Sequence, residues 1–164
     1  MQYNYYVYEK PEYNIRINKL PIWFKEVKFE GEKDKGYIEF HSQENYDEYW
    51  GAIARYEFNW ETKKRTEFFH SREVQESINI YNAINLNVTK KESDWLRSHE
   101  FTIWFGNRMK RVGKKYYPEN SIHGIFYCEL TERVFEMHTA IIRDYFESYK
   151  EYILNSYNSV LCHD

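Results

Sequence analysis

The residues best able to do chemistry in this 164-residue chain fall into four groups. The first is a basic run. Arg108, Lys110, Arg111, Lys114 and Lys115 put five cations into eight positions, with no acid between Glu100 and Glu119, and Tyr116 and Tyr117 follow directly. Cations grip phosphates and neighbouring rings stack on bases, so the run is a candidate phosphate- or nucleic-acid-binding surface, which Lys63, Lys64 and Arg65 would widen. A solvated connecting loop is the commoner use of such a charge cluster. The second group lies on an alternating segment, where Glu57, Asn59, Glu61 and Lys63 point to one side. Glu61-Thr62-Lys63 spells the acid-x-lysine element with which metal-dependent nucleases hold Mg²⁺ and polarise the transition state. A second carboxylate would come from Asp47 or Glu39, and nothing selects between them. Glu26-Val27-Lys28 repeats the spelling, and cross-strand ion pairing on an exposed strand accounts for both.

The third group is histidine. His41 and His70 each precede a serine, and His123 and His138 flank the passage into the last helical pattern. No two are at the i, i+4 spacing of a helical metal site, no Cys-x-x-Cys accompanies them, and Cys162-His163 falls where the chain end would fray. No metal site and no cofactor is expected, Mg²⁺ entering only with the nuclease alternative. Ser71 beside His70 reads as a helix cap rather than a nucleophile, and no nucleophile elbow, P-loop or dinucleotide fingerprint occurs. The fourth group is a tyrosine stripe, Tyr145, Tyr149, Tyr152 and Tyr157, interleaved with Asp144, Glu147 and Glu151. Rings beside acids suit contact with a basic protein surface, so Tyr145, Tyr149, Tyr152, Glu147 and Glu151 are the candidate partner-binding residues; core packing is the competing use of the rings.

The elements that would carry these groups follow from hydrophobic period. Residues 22–29 and 37–41 read as two strands around a polar, glycine-flanked turn. Residues 52–63 alternate strictly, with Tyr56, Phe58 and Trp60 on one face, and residues 66–69 are read as the partner strand. A helix is expected from Ser71, with Val74, Ile78, Tyr81 and Ile84 inward, and a second short one from Thr89, where Glu92 completes a capping box over a buried Trp95 and Leu96. Residues 101–105 read as a strand, and residues 122–130 fit strand or helix, with Gly124 favouring strand. The strongest helical signal comes last. Val134, His138, Ile141, Ile142, Tyr145, Tyr149, Tyr152, Ile153 and Val160 recur at three- and four-residue spacing behind a Thr131 cap, predicting a helix over about 132–160, roughly 40 Å long.

Composition sets the outer bounds. Aromatic residues are 20% of the chain (17 Tyr, 11 Phe, 5 Trp), which excludes a disordered protein and points to a large core, a recognition surface or both. Two cysteines make no disulfide framework, and no signal peptide or membrane-spanning run is found, so a cytoplasmic protein is expected. Residues 1–118 carry 20 basic and 18 acidic side chains against 3 and 8 in residues 119–164, leaving an acidic tail on a near-neutral body. The reading is a single α+β domain over residues 1–164: an antiparallel sheet from the N-terminal half, two short middle helices and a long C-terminal helix. The expected function is a small intracellular binding protein of inhibitor, immunity or phage-accessory type, with a basic protein partner and a homodimer through the last helix as a further option. The alternative is a nucleic-acid or nucleotide-handling protein, in the limit a metal-dependent nuclease using Glu57, Glu61 and Lys63.

Overall fold

The computed structural model describes residues 4–96 and 99–163. In chain order the strands are β1 (Tyr5–Lys10), β2 (Ile15–Pro21), β3 (Phe24–Gly31), β4 (Lys35–Ser42), β5 (Asn45–Asp47), β6 (Gly51–Ala52) and β7 (Ala54–Thr62). Helix α1 (Phe69–Asn82) follows, then β8 (Asn87–Leu96), β9 (His99–Val112), β10 (Lys115–Cys128), β11 (Arg133–Ile142), helix α2 (Phe146–Tyr157) and β12 (Val160–Leu161). Seven strands form one antiparallel sheet in the order β3-β4-β7-β11-β10-β9-β8. A three-stranded sheet, β1-β2-β12, lies with α2 over one face, and α1 covers part of the other.

The expected α+β balance is therefore corrected to a sheet-dominated fold. The hairpin of β3 and β4 and the strand β7 lie where period-two alternation places them. Tyr56, Phe58 and Trp60 of β7 point into the larger core with Phe40, Phe126, Phe135, Ile153 and Tyr157, while Arg55, Glu57 and Asn59 face the α1 side. Each fully buried large apolar side chain contributes about 1.5–3 kcal/mol, so this layer holds the two sheets together. Residues 122–130 belong mostly to β10, as Gly124 suggested.

The long C-terminal helix does not exist. Residues 133–142 are β11, between β7 and β10 in the middle of the sheet, and the helix runs only from Phe146 to Tyr157 after a 3-10 turn. The reason is burial on both faces. Phe135, Met137 and Ile141 enter the α2-side core while Val134 packs under α1, so β11 carries no alternation and its apolar positions mimic a helical stripe. The capping box at Thr89 fails likewise: residues 87–96 pair along β9 as an edge strand. The side chains of Trp95 and Leu96 lie outside the described residues. Ser71 sits inside the first turn of α1, whose cap position is Phe68 at φ 57°, and residues 66–69 are turn and helix rather than strand. Thr131 and Glu132 lie in the β10–β11 turn, with Glu132 at φ 51°.

One buried cation fastens the chain end to the sheet. Arg133 donates from Nη1 to the Tyr13 carbonyl at 2.6 Å and from Nη2 to the Asn14 and Cys162 carbonyls, each at 2.8 Å. Cys162 is 3% exposed, so the expected frayed terminus is corrected to a docked one.

Candidate functional site

Antiparallel register lines up a polar ladder across the α1 side of the sheet. Glu39 of β4 faces Glu57 of β7, Glu57 faces His138 of β11, His138 faces His123 of β10, and His123 faces Trp104 of β9. The neighbouring row runs Tyr37, Asn59, Glu136, Ile125, Thr102. Helix α1 lies over one end of these rows. Phe69, Val74 and Ile78 pack on Trp104, Ile125, Tyr127 and Val134, and the Tyr81 ring stands over both histidines at 4.6 and 5.0 Å.

The histidines form a continuous hydrogen-bonded chain. Ser121 Oγ lies 2.7 Å from His123 Nε2, His123 Nδ1 lies 2.6 Å from His138 Nδ1, and His138 Nε2 lies 3.1 Å from Glu136 Oε2. The carboxylate only accepts, so His138 Nε2 carries a proton. With both rings neutral every contact is then satisfied in one direction: Ser121 donates to His123, His123 to His138, and His138 to Glu136. Trp104 stacks on His123 at 3.6 Å and 7°. Burial, the neighbouring His138 and the charge of Arg108 hold the His123 imidazolium well below its ordinary pKa, so this ring stays neutral. The chain is a polarised, dry floor.

Two hollows open above it and share Ile80 at their rim. The smaller, about 330 Å³, is lined by Glu39, Arg55, Glu57, Arg108, Lys110, Glu119, Ser121 and the histidines, a balanced set in which Arg108 donates to Glu119 at 2.9 Å. The larger, about 420 Å³, is acidic: Glu30, Glu32, Glu61, Glu73, Glu76 and Glu136 face Lys35 and Lys63, with apolar Val134 beneath and Ile80 at the rim. Lys63 Nζ donates to both oxygens of Glu73 at 3.1 Å. Burial dominates at the Glu73 carboxyl and raises its pKa in spite of Lys63. At the ammonium, burial is outweighed by hydrogen bonding to Glu73 and by the charges of Glu73, Glu61 and Glu76, so Lys63 also rises. Ser77 Oγ, in a residue 3% exposed, lines the same hollow without a hydrogen-bond partner.

The groups singled out in the sequence are scattered over this frame. Glu57 and Glu61 do share a face of β7, but they line different hollows, and Lys63 lies just past the strand in an ion pair. Asp47 is a turn cap, accepting from the Trp50 and Tyr49 amides at 2.6 and 2.9 Å and from the Tyr117 hydroxyl at 2.7 Å. The basic run is no loop. It is the tip of the β9–β10 hairpin, turning at Gly113 with φ 63°, and its cations point to opposite faces. Arg108 pairs with Glu119, Lys110 lies over Trp50, Lys115 over Tyr49, and Arg111 donates to the Gly113 carbonyl; Lys114 occupies the exposed turn. Tyr149 stacks on Trp23 at 4.5 Å, Tyr152 packs on Tyr5 and Trp23, and Tyr145 meets Tyr46, so all three rings are half-buried against their own chain. Glu147 and Glu151 are exposed. Glu73, Glu136 and the histidine pairing escaped the sequence reading. Two strands about a turn at residues 129–132 would have put residues 123 and 138 opposite each other.

No protein-family model and no curated protein matches this chain. Among solved structures it is similar to the solution structure of cyanobacterial PsbP (CyanoP) from Synechocystis sp. PCC 6803, with a TM-score of 0.68 and 9% identity over 98% of this chain and 94% of that one. At that identity the likeness is one of fold. The structure this chain resembles is a PsbP rather than an inhibitor, an immunity or phage protein, or a nuclease, and those expectations are withdrawn. Nucleic-acid binding and a homodimer find no support, since the cations of the hairpin tip diverge and the long helix is absent. No helix among the described residues is long and apolar enough to cross a membrane.

Proposed function

We propose that this protein binds a basic segment of a partner protein in the larger hollow, between α1 and the β4-β7-β11 part of the sheet. The observation that carries the reading is the charge of that hollow: six carboxylates face two lysines, one of which is already tied to Glu73. Val134 and Ile80 provide apolar surface for the methylene stems of lysine or arginine, whose charged heads reach the rim. The unpartnered Ser77 hydroxyl offers a fixed hydrogen bond within it. The protein partner expected from the acidic tyrosine stripe is thus kept, with the contact surface moved from α2 to the hollow.

Rim-exposed pairs contribute only about 0.2–1 kcal/mol each, so affinity comes from several together and weakens as salt rises. Isothermal titration with a short lysine- and arginine-rich peptide, against an acidic peptide of equal length, tests the reading. Changing Glu32, Glu61 and Glu76 together to Gln removes three exposed charges and is expected to cost about 1.5 kcal/mol, about tenfold in Kd. Equal binding of the two peptides, or an unchanged Kd in the triple variant, refutes it.

A further inference from the structure

We infer that His99, Cys128, Cys162 and His163 form a tetrahedral Zn²⁺ site. It lies on the α2 side of the sheet, apart from the acidic hollow and independent of the function proposed for it. The donors come from three places in the sequence that only the fold joins: the first residue of β9, the last of β10, and two adjacent residues after β12. One ligand atom from each lies within 4.8 Å of all the others, which a metal at their centre would draw in by small rotamer adjustments. One donor pair already has the spacing that zinc requires. His99 Nε2 and Cys162 Sγ are 3.5 Å apart. Zinc bonds of about 2.3 Å to sulfur and about 2.0 Å to nitrogen at the tetrahedral angle separate these donors by about 3.5 Å.

The surroundings match a zinc centre as well. His99 presents Nε2 to the thiol while its other nitrogen, Nδ1, meets Glu129 Oε2 at 2.9 Å, and Arg65 holds Glu129 from behind at 3.0 Å. A carboxylate on the far nitrogen is how a zinc-bound histidine is oriented and kept in the right tautomer. His99 and both cysteines are buried, and His163 is half-buried, leaving a route for the ion. Arg133 fixes the backbone of Cys162 by donating from Nη2 to its carbonyl, so the metal ligand at the chain end is held before any ion arrives. Two thiolates and two neutral imidazoles cancel the charge of Zn²⁺, so the occupied site adds no net charge to the interior; the two thiol protons leave to solvent on binding.

The test uses the full chain, reduced, stripped with EDTA and handled under nitrogen, then titrated with Co²⁺ and afterwards Zn²⁺. The expected result is thiolate-to-cobalt charge-transfer absorption with tetrahedral d–d bands, bleached by one equivalent of Zn²⁺, and a melting temperature that rises with Zn²⁺. His163→Ala, at a half-exposed terminal position, is expected to keep the fold and weaken Zn²⁺ at least about tenfold, and Glu129→Gln to weaken it by about 10–100-fold. Cys162→Ser should lose charge-transfer intensity, with circular dichroism showing that it is folded. The inference is overturned if the folded wild type gives no charge-transfer band, if His163→Ala binds Zn²⁺ as the wild type does, or if Cys128 and Cys162 are found joined as a disulfide.

Discussion

Mild acid should loosen this protein through His123. The ring is 2% exposed, stacked on Trp104 and roofed by Tyr81, and the groups facing it are His138 and Glu136 from β11, Arg108 from β9, Glu57 from β7 and Glu119 from its own strand. Burial, then His138 and Arg108, depress its folded pKa well below 6.5. Unfolded, the ring binds a proton below about 6.5, while folded it stays neutral. The unfolded state therefore holds more protons, and stability that is complete above that pKa is lost as the pH falls through and below it. Integrated from about pH 7.5 to about pH 5.5, one such group costs about 1.4 kcal/mol. Burial shifts His70 in the same direction, adding to the loss. Glu73, whose folded pKa is raised, acts in the opposite sense but chiefly nearer its own titration at lower pH. Urea unfolding followed by tryptophan fluorescence, at closely spaced pH values, measures the slope. His123→Gln should be less stable at neutral pH yet lose most of the dependence over this interval. A wild type equally stable at both ends, or a His123→Gln variant with the wild-type slope, would refute the reasoning.

Two further outcomes follow from buried contacts. The Tyr157 hydroxyl donates to the Ile122 carbonyl at 2.8 Å and lies 2.6 Å from Thr139 Oγ1 in a fully buried site, so Tyr157→Phe strands both partners and should cost about 1–3 kcal/mol in urea unfolding. At Gly36 an added Cβ would fall 1.9 Å from Cζ2 of the buried Trp60, forcing the indole to move. Gly36→Ala should therefore cost about 1–3 kcal/mol and change the near-ultraviolet dichroism, and an unaltered melting temperature would show that the hairpin can shift away at little cost.

Local chemistry determined what the sequence made plain. The alternation of Tyr56, Phe58 and Trp60 with charged neighbours could only be a half-buried strand, the glycine-flanked polar turn after Phe29 could only reverse the chain, and Val74 with Ile78 marks the inner face of α1. Each is written within about ten residues, because one face meets water and the other meets the core. The tertiary structure alone decided the rest. Residues 133–142 look helical in sequence because, as a central strand, they are covered on both faces and need no polar alternation. His138 meets His123 through the register of one hairpin, and Glu73 reaches Lys63 because α1 folds back over the sheet. His99, Cys128 and the pair Cys162-His163 lie far apart in sequence, joined only where strand ends converge and Arg133 docks the chain end. Period records which side of an element is dry; which elements become neighbours, and in what register, depends on packing between segments far apart in the chain.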